Sequence, residues 1–232
     1  MRALKIAVCV LSFGLLATSA RAASINFENI ATGTGGTLSY AGGATPLVGV
    51  DIPFDTVTVN GATQNDGVYV CSNCLLDFTT GNNVNLGFNP AEAWQGGGSF
   101  TLTGEIVGVT TGEVTLLSGT WSSTGPNNLG YIGGFGPGGF TGGGTGTDSK
   151  NQEILTFFGI ANPFIYTNTN FTAQSCLNPG QSSAFTCDVD EADLTNENLL
   201  RDIPVPEPAS LLLLGSGLVG LAHRARRRRN RS

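Results

Sequence analysis

Histidine and internal basic residues are scarce in this 232-residue sequence, and their scarcity excludes several classes of function. The one histidine, His223, lies near the C-terminus, so residues 23–205 contain no Ser-His-Asp or Cys-His catalytic set and no imidazole ligand for zinc. These residues hold two basic side chains, Lys150 and Arg201, against 16 acidic ones, a net charge of −14. Phosphate backbones repel such a segment, which disfavours nucleic-acid binding.

The N-terminal residues have the pattern of a secretory signal peptide. A short positive segment, residues 1–5, precedes an apolar run over residues 6–17, and Ala20 and Ala22 supply the small residues of a signal-peptidase site. We expect cleavage after Ala22, which removes residues 1–22 together with Cys9. A permanent N-terminal membrane helix is the alternative, but the apolar run is short for it.

A second apolar run lies near the C-terminus. Residues 209–222 comprise 14 residues, and as a helix they would span about 21 Å against about 30 Å of hydrocarbon. Long flanking side chains that extend to the membrane surface would let this short helix cross the inner membrane transiently. The arginines that follow would then lie in the cytoplasm and the body outside. The alternative is a basic tail that binds nucleic acid or acidic lipid, which an export signal disfavours.

Residues 205–232 contain three parts in fixed order: Val205, Pro206, Glu207 and Pro208; the apolar run; and the basic cluster Arg224, Arg226, Arg227, Arg228, Arg229 and Arg231. This order resembles the PEP-CTERM sorting signal of Gram-negative bacteria. The resemblance implies sorting by an exosortase, a membrane-embedded enzyme that cleaves near the motif. The two prolines favour an extended, accessible segment around Glu207. The tail is also catalogued as the C-terminal domain of ice-binding proteins, a name that carries no evidence of ice binding.

The body, residues 23–204, has the sequence pattern of an antiparallel β-sandwich with long glycine-rich loops. Apolar and polar residues alternate with period two, which places one face of each strand on a core and the other in water. Turn-forming residues separate the runs at short intervals. The alternating apolar residues include Ile25 and Phe27; Val68 and Val70; Leu76 and Phe78; Phe100, Leu102 and Ile106; and Phe185, Cys187 and Val189.

Two further patterns in the body predict a glycine-rich loop and one short helix. Residues 125–147 contain 11 glycines in 23 residues, which predicts an extended surface loop. A short helix is expected over residues 149–158, with Asp148 as its N-cap. The glycines at 134, 136 and 139 match a dinucleotide-binding pattern, but Pro137 interrupts it and no helix follows, so no cofactor is predicted.

Four cysteines remain after removal of the signal peptide, and an even number in an exported protein indicates disulfides. We expect local pairing of Cys71 with Cys74, across a tight turn between two strands, and of Cys176 with Cys187. Three connectivities remain open. A redox pair or a four-cysteine zinc site fits poorly, because the first pair lies in strand-like sequence and ten residues separate the cysteines of the second pair.

Two further patterns offer candidate ligand sites. Asp188 and Asp190 would point to one face of a strand and could provide oxygen ligands for calcium, or form a solvated acidic edge that discourages aggregation. Trp94 lies in a polar, glycine-flanked segment, where an exposed ring could stack on a sugar, although a core position is favoured. Trp121 is expected in the core. Threonine pairs such as Thr101/Thr103 and Thr145/Thr147 resemble ice-binding faces but lack a common period.

The sequence thus predicts an exported, disulfide-stapled envelope or extracellular-matrix protein without catalysis of its own. Signal peptidase and exosortase are its expected processing partners, and the inner membrane is expected to hold it transiently. The expected setting for its structural or interaction role is the exopolysaccharide of a biofilm matrix. A carbohydrate-binding module that uses Trp94 is the alternative. A glycan-acting enzyme that uses a carboxylate pair is the second alternative.

Overall fold

The structure is a computed structural model that describes residues 23–29, 35–84, 91–123, 129–136, 139–160, 166–177 and 184–197. These residues belong to one compact unit, Ala22–Leu199. Its strands are β1 (Ser24–Glu28), β2 (Thr37–Tyr40), β3 (Pro46–Asn60), β4 (Gly67–Asn82), β5 (Ala91–Gln95), β6 (Ser99–Ile106), β7 (Val114–Trp121), β8 (Leu129–Gly136), β9 (Gly139–Lys150), β10 (Tyr166–Leu177) and β11 (Phe185–Glu197), with helix α1 (Gln152–Phe158) after β9.

The strands form one antiparallel sheet that closes on itself. Each strand along the path β2, β3, β4, β6, β7, β9, β10 and β11 pairs with the next, and β11 pairs with β2. Strand β1 also lies between β11 and β3, where it pairs with a different stretch of each strand than β2 does. Strand β8 pairs with β9, and β5 pairs with β8. The predicted antiparallel all-β fold is confirmed, and the facing layers of the predicted sandwich are parts of one continuous sheet.

The core combines large aromatic side chains with inward-facing glycines. On β9, Gly142, Gly144 and Gly146 occupy the positions that face the interior. A Cβ at Gly144 would lie 2.9 Å from the rings of both Trp121 and Tyr131, so the rings lie directly on the glycine backbone. Glycine is therefore required here because the aromatic rings fill the space that a side chain would take.

This packing corrects the expectation of a surface loop over residues 125–147. Strands β8 and β9 occupy most of that segment, and Gly134 pairs with Thr141 in the hairpin that they form. The high glycine content predicts a loop only if the glycines serve flexibility. Here they make room for rings such as Phe140, which is fully buried.

A bulge in β4 changes which face of the strand is buried. Leu76 and Phe78 point into the core, with exposed fractions of 0% and 3%, whereas Val68 and Val70 are 70% and 63% exposed. The register shifts between Ser72 and Leu75, and the extra residue inverts the alternation. The predicted alternation is thus present on both sides of the bulge, but the expectation that Val68 and Val70 face the core is wrong.

Helix α1 begins later than expected, and its N-cap is Asn151 instead of Asp148. The Asn151 side chain accepts a hydrogen bond from the backbone N–H of Glu153 at 2.8 Å. Gly159 ends the helix in the left-handed conformation, with φ of 62°. The side chain of Asn65 donates to the carbonyl of Phe157 at 2.7 Å and so ties the loop after β3 to the helix end.

Candidate functional site

The sorting motif and both predicted membrane-associated segments lie outside the described residues. This applies to the signal-cleavage residues Ala20 and Ala22, to the motif from Val205 to Pro208, to the apolar run at 209–222 and to the arginine cluster. Within the described ranges no helix has the length and apolar character needed to cross a bilayer. The functional side chains that the structure does position all belong to the body.

The first predicted disulfide is present and lies in the β4 bulge. Cys71 and Cys74 are bonded with their Cα atoms 5.6 Å apart, and both side chains are buried. The predicted hairpin turn is replaced by a bulge within one long strand, where Asn73 takes a φ of 51°. Its side-chain amide donates to the Glu113 carboxylate at 2.6 Å, which holds the bulge against the turn that precedes β7.

The second cysteine pair is described in part. Cys187 is disulfide-bonded, and its side chain points into the core from β11. The side chain of Cys176, its expected partner, lies outside the described residues. Strands surround the Cys71–Cys74 bond on both sides, so no helix N-terminus stabilises a thiolate there.

Trp94 is a core residue and not an exposed sugar platform. It lies on β5 with an exposed fraction of 0%. Its ring makes edge contacts with Tyr40, Tyr131 and Phe140 at centroid distances of 5.5–6.1 Å. Stacking on a sugar would require this ring to leave the core, so the structure corrects the possible sugar contact in favour of the core position. Trp121, predicted to be buried, is 2% exposed.

Asp188 and Asp190 flank the buried Val189 on β11, and Asp190 lies in a second bulge. Asp188 is exposed on the outer face of β11, where it pairs with Gln174 of β10 and Thr37 of β2. Asp190 falls at the register shift between β10 and β11, where the regular alternation of the strand is interrupted. The part of the chain that the structure describes holds no group of three His, Cys, Asp or Glu side chains arranged for a metal ion.

Two further acidic residues near Asp190 lie on paired strands and face each other. Asp193 of β11 faces Glu28 of β1 directly across the strands. Partial burial, followed by the negative charge of Glu28, raises the pKa of Asp193 above its usual value, while a hydrogen bond from Thr195 opposes the shift. The two carboxylates are therefore like charges on paired strands of the closed sheet, and repulsion between them opposes ionisation of Asp193.

Sequence reasoning missed an ion pair inside the closed sheet. Asp148 and Lys150 point inward from β9, and both side chains have an exposed fraction of 0%. The Lys150 ammonium lies 3.0 and 2.9 Å from the two carboxylate oxygens of Asp148. Burial lowers the pKa of Lys150 to about 8, against the opposing effect of the Asp148 charge and hydrogen bonds.

A second buried carboxylate lies on β5, two residues before Trp94. Glu92 is 3% exposed, and the Asn83 side chain donates to its Oε2 at 3.0 Å. Burial, and then the negative charge of Glu92, raises the pKa of the neighbouring Tyr40. Strand periodicity could have revealed these inward charges. Glu92 is two residues from the buried Trp94, and Asp148 and Lys150 are two and four residues from the buried Gly146, so each points to the same side of its strand as that neighbour.

Comparison with known proteins identifies the tail and leaves the body unmatched. The profile of the PEP-CTERM protein-sorting motif matches residues 204–229. No curated protein and no solved structure matches the chain. The match agrees with the resemblance in the sequence and covers the Pro-Glu-Pro motif, the apolar run and most of the arginine cluster. The chain thus carries a PEP-CTERM sorting motif, which supports export, processing by an exosortase at the membrane, and subsequent release to the envelope.

Proposed function

We propose that the body is a non-catalytic structural or interaction component of the exopolysaccharide matrix outside the inner membrane. The observation that carries the proposal is the sorting motif at residues 204–229, which delivers an attached domain to the envelope. The body itself is a closed, disulfide-bonded sheet suited to an extracytoplasmic environment. After release into the matrix, the domain would have polysaccharide chains as its partners.

The two buried carboxylates that the structure describes in the body serve the fold and are not presented to a substrate. The buried carboxylates of Asp148 and Glu92 are engaged by Lys150 and Asn83 inside the closed sheet. A glycosidase needs two carboxyl groups that face a substrate in a cleft. Carboxylates held in the interior by an ammonium and an amide serve the fold instead.

Replacement of the motif glutamate tests the sorting on which the proposal depends. Glu207→Ala should leave an unprocessed chain in the inner membrane with its arginine tail attached, because the exosortase then lacks its recognition residue. Glu191→Ala is the matched control, since Glu191 is an exposed glutamate on β11 of the body. Fractionation and immunoblotting of the producing cell report the outcome. Normal processing of the Glu207→Ala chain would contradict the assignment.

The matrix role has its own test. We expect the mature chain in the fraction released when the matrix is extracted, and we expect its deletion to change matrix cohesion or composition without loss of any polysaccharide-cleaving activity. A mature chain found only in the culture medium, with an unchanged matrix in the deletion strain, would refute a matrix role while leaving the sorting intact.

A further inference from the structure

The outer face of four adjacent strands carries hydroxyl side chains in matching register. Strand pairing aligns Thr79, Ser99, Thr120 and Thr147 in one row across β4, β6, β7 and β9. It aligns Thr101, Ser118 and Ser149 in a second row across β6, β7 and β9. We call these seven residues the hydroxyl grid. Neighbouring rows and strands of a sheet repeat at about 6.7 Å and about 4.8 Å, so the grid is periodic in two directions.

The hydroxyl groups of the grid are available to a ligand. Five of the seven residues, including Thr120 and Thr147, are exposed, and Thr79 and Thr101 are partly exposed. In the part of the chain that the structure describes, none of these hydroxyls takes part in a side-chain hydrogen bond within the protein. Each can therefore donate one hydrogen bond and accept others.

The grid is uncharged although it belongs to a strongly acidic body. On β9 the usual arrangement of charge is inverted: Asp148 and Lys150 point inward, while Thr147 and Ser149 point outward. The charged residue closest in register is Asp77, which pairs with Thr101 at one corner. The Asp77 carboxylate accepts a hydrogen bond from the backbone N–H of Asp51 at 2.9 Å.

The interior behind the grid holds it rigid. Phe100 lies between Ser99 and Thr101 in sequence and is 1% exposed. A Cβ on Gly146 would lie 2.9 Å from the Phe100 ring, so the ring packs against the backbone of β9. Because close packing fixes the strands, little conformational entropy remains to be lost when a ligand binds.

We infer that the hydroxyl grid binds uncharged polysaccharide chains, an inference that rests on the proposed matrix function. A sugar polymer presents hydroxyl donors and acceptors at a repeated spacing, as the grid does. A net charge of −14 over residues 23–205 repels nucleic acid and acidic polysaccharide, whereas an uncharged polymer approaches the neutral face without that repulsion.

The chemistry of the grid also argues against a protein partner. Interfaces between proteins depend on buried aromatic, apolar or arginine anchors, and the grid contains none. Single hydroxyl contacts in water contribute little affinity. A long polymer makes many such contacts at once, so binding through this face depends on avidity.

A triple substitution in the grid tests the inference. Thr101→Val, Thr120→Val and Thr147→Val together remove three hydroxyls but keep the β-branched shape that suits a strand. Thr37→Val, Thr58→Val and Thr186→Val form the matched control, since these threonines lie on other strands of the sheet. Equal melting temperatures of the variants and the wild type establish that each is folded.

The probe is the uncharged polysaccharide fraction of the producing culture, separated from the acidic fraction by anion exchange. We expect this fraction to bind the mature wild-type chain and the control variant equally and to deplete both from solution. We expect it to bind the grid variant with at least about tenfold lower affinity. The inference is overturned if the wild type does not bind, if it prefers the acidic fraction, or if the grid variant binds as well as the wild type. Inhibition of ice recrystallisation by the wild type, lost in the grid variant without any polysaccharide binding, would also overturn it.

Localisation separates this inference from the proposed function. If the chain is found in the matrix but does not bind the uncharged fraction, the grid inference fails and the matrix role stands. If the chain binds that fraction in solution but is absent from the matrix in the producing cell, the proposed function fails.

Discussion

The ion pair inside the closed sheet makes the sharpest prediction about stability. Lys150→Met removes the ammonium that lies 2.9 Å from the Asp148 carboxylate, and neither side chain is exposed. At that separation and an effective dielectric constant of about 20, the Coulomb attraction is about 6 kcal/mol, and the lowered pKa of Lys150 indicates that the cost of burying the ammonium exceeds this attraction. Removal of one partner from a buried pair costs about 3–5 kcal/mol, and in this variant the Asp148 carboxylate stays buried after it has lost the ammonium.

Urea unfolding followed by tryptophan fluorescence measures this cost. The double variant Asp148→Leu/Lys150→Met serves as the control, since it removes both charges and should recover most of the loss. A domain stability of about 5–15 kcal/mol means that the single variant loses a large part of the total. A loss below about 1 kcal/mol for Lys150→Met would show that water reaches the pair, and the described interior would then be wrong.

The same lysine predicts a dependence on pH. Its pKa is about 8 in the folded protein and about 10.4 in the unfolded chain, so the unfolded chain binds more protons between these values. The stability that Lys150 contributes to the wild type therefore rises with pH over this window, by at most about 1.4 kcal/mol per pH unit. The stability difference between the wild type and Lys150→Met, measured at pH 7.5 and 9.5, should increase. A constant or falling difference would refute the lowered pKa.

Two further substitutions test the core and the β4 bulge. Gly144→Ala should destabilise the body by about 1–3 kcal/mol, because the new methyl group meets two aromatic rings. Gly67→Ala is the control and should change stability by less than about 0.5 kcal/mol, because the nearest contact of its methyl group would be 3.7 Å away. Equal effects of the two substitutions in urea unfolding would contradict the packing. Cys71→Ala/Cys74→Ala should cost about 2 kcal/mol by the loop-entropy estimate for so short a loop, and a cost near zero would show that the bulge is held without the bond.

Period-two alternation predicted the fold class because it depends only on one side of each strand facing a core. Phe100 and Leu102 illustrate the success, since both are buried at the expected parity. The alternation could not reveal the β4 bulge. An extra residue at Ser72–Asn73 reverses the buried face, and the cause is a long-range register shift against β6.

Glycine was the main source of error in the body. Residues such as Gly142, Gly144 and Gly146 alternate with outward residues in the pattern of a strand, but glycine has no side chain from which to read a buried face. Their role depends on rings from other strands, Tyr131 and Trp121 among them. A window on the local sequence does not contain that information.

Some features of the candidate sites follow from local sequence, and others depend on the tertiary structure. Local pairing of Cys71 with Cys74 followed from their spacing and is confirmed. The core position favoured for Trp94 agrees with its burial. The inward direction of Lys150 depends on the closure of the sheet, which brings residues from distant strands together. The hydroxyl grid likewise exists only through strand register. Its threonines have no common period in sequence.

The measurement that tests the account most directly is mass spectrometry of both ends of the mature chain from the producing cell. The account predicts an N-terminus at Ala23, a C-terminus near the Pro-Glu-Pro segment, and loss of the whole arginine cluster. An intact chain from the cytosol, with residues 1–22 and Arg231 still attached, would contradict sorting of this body to the envelope.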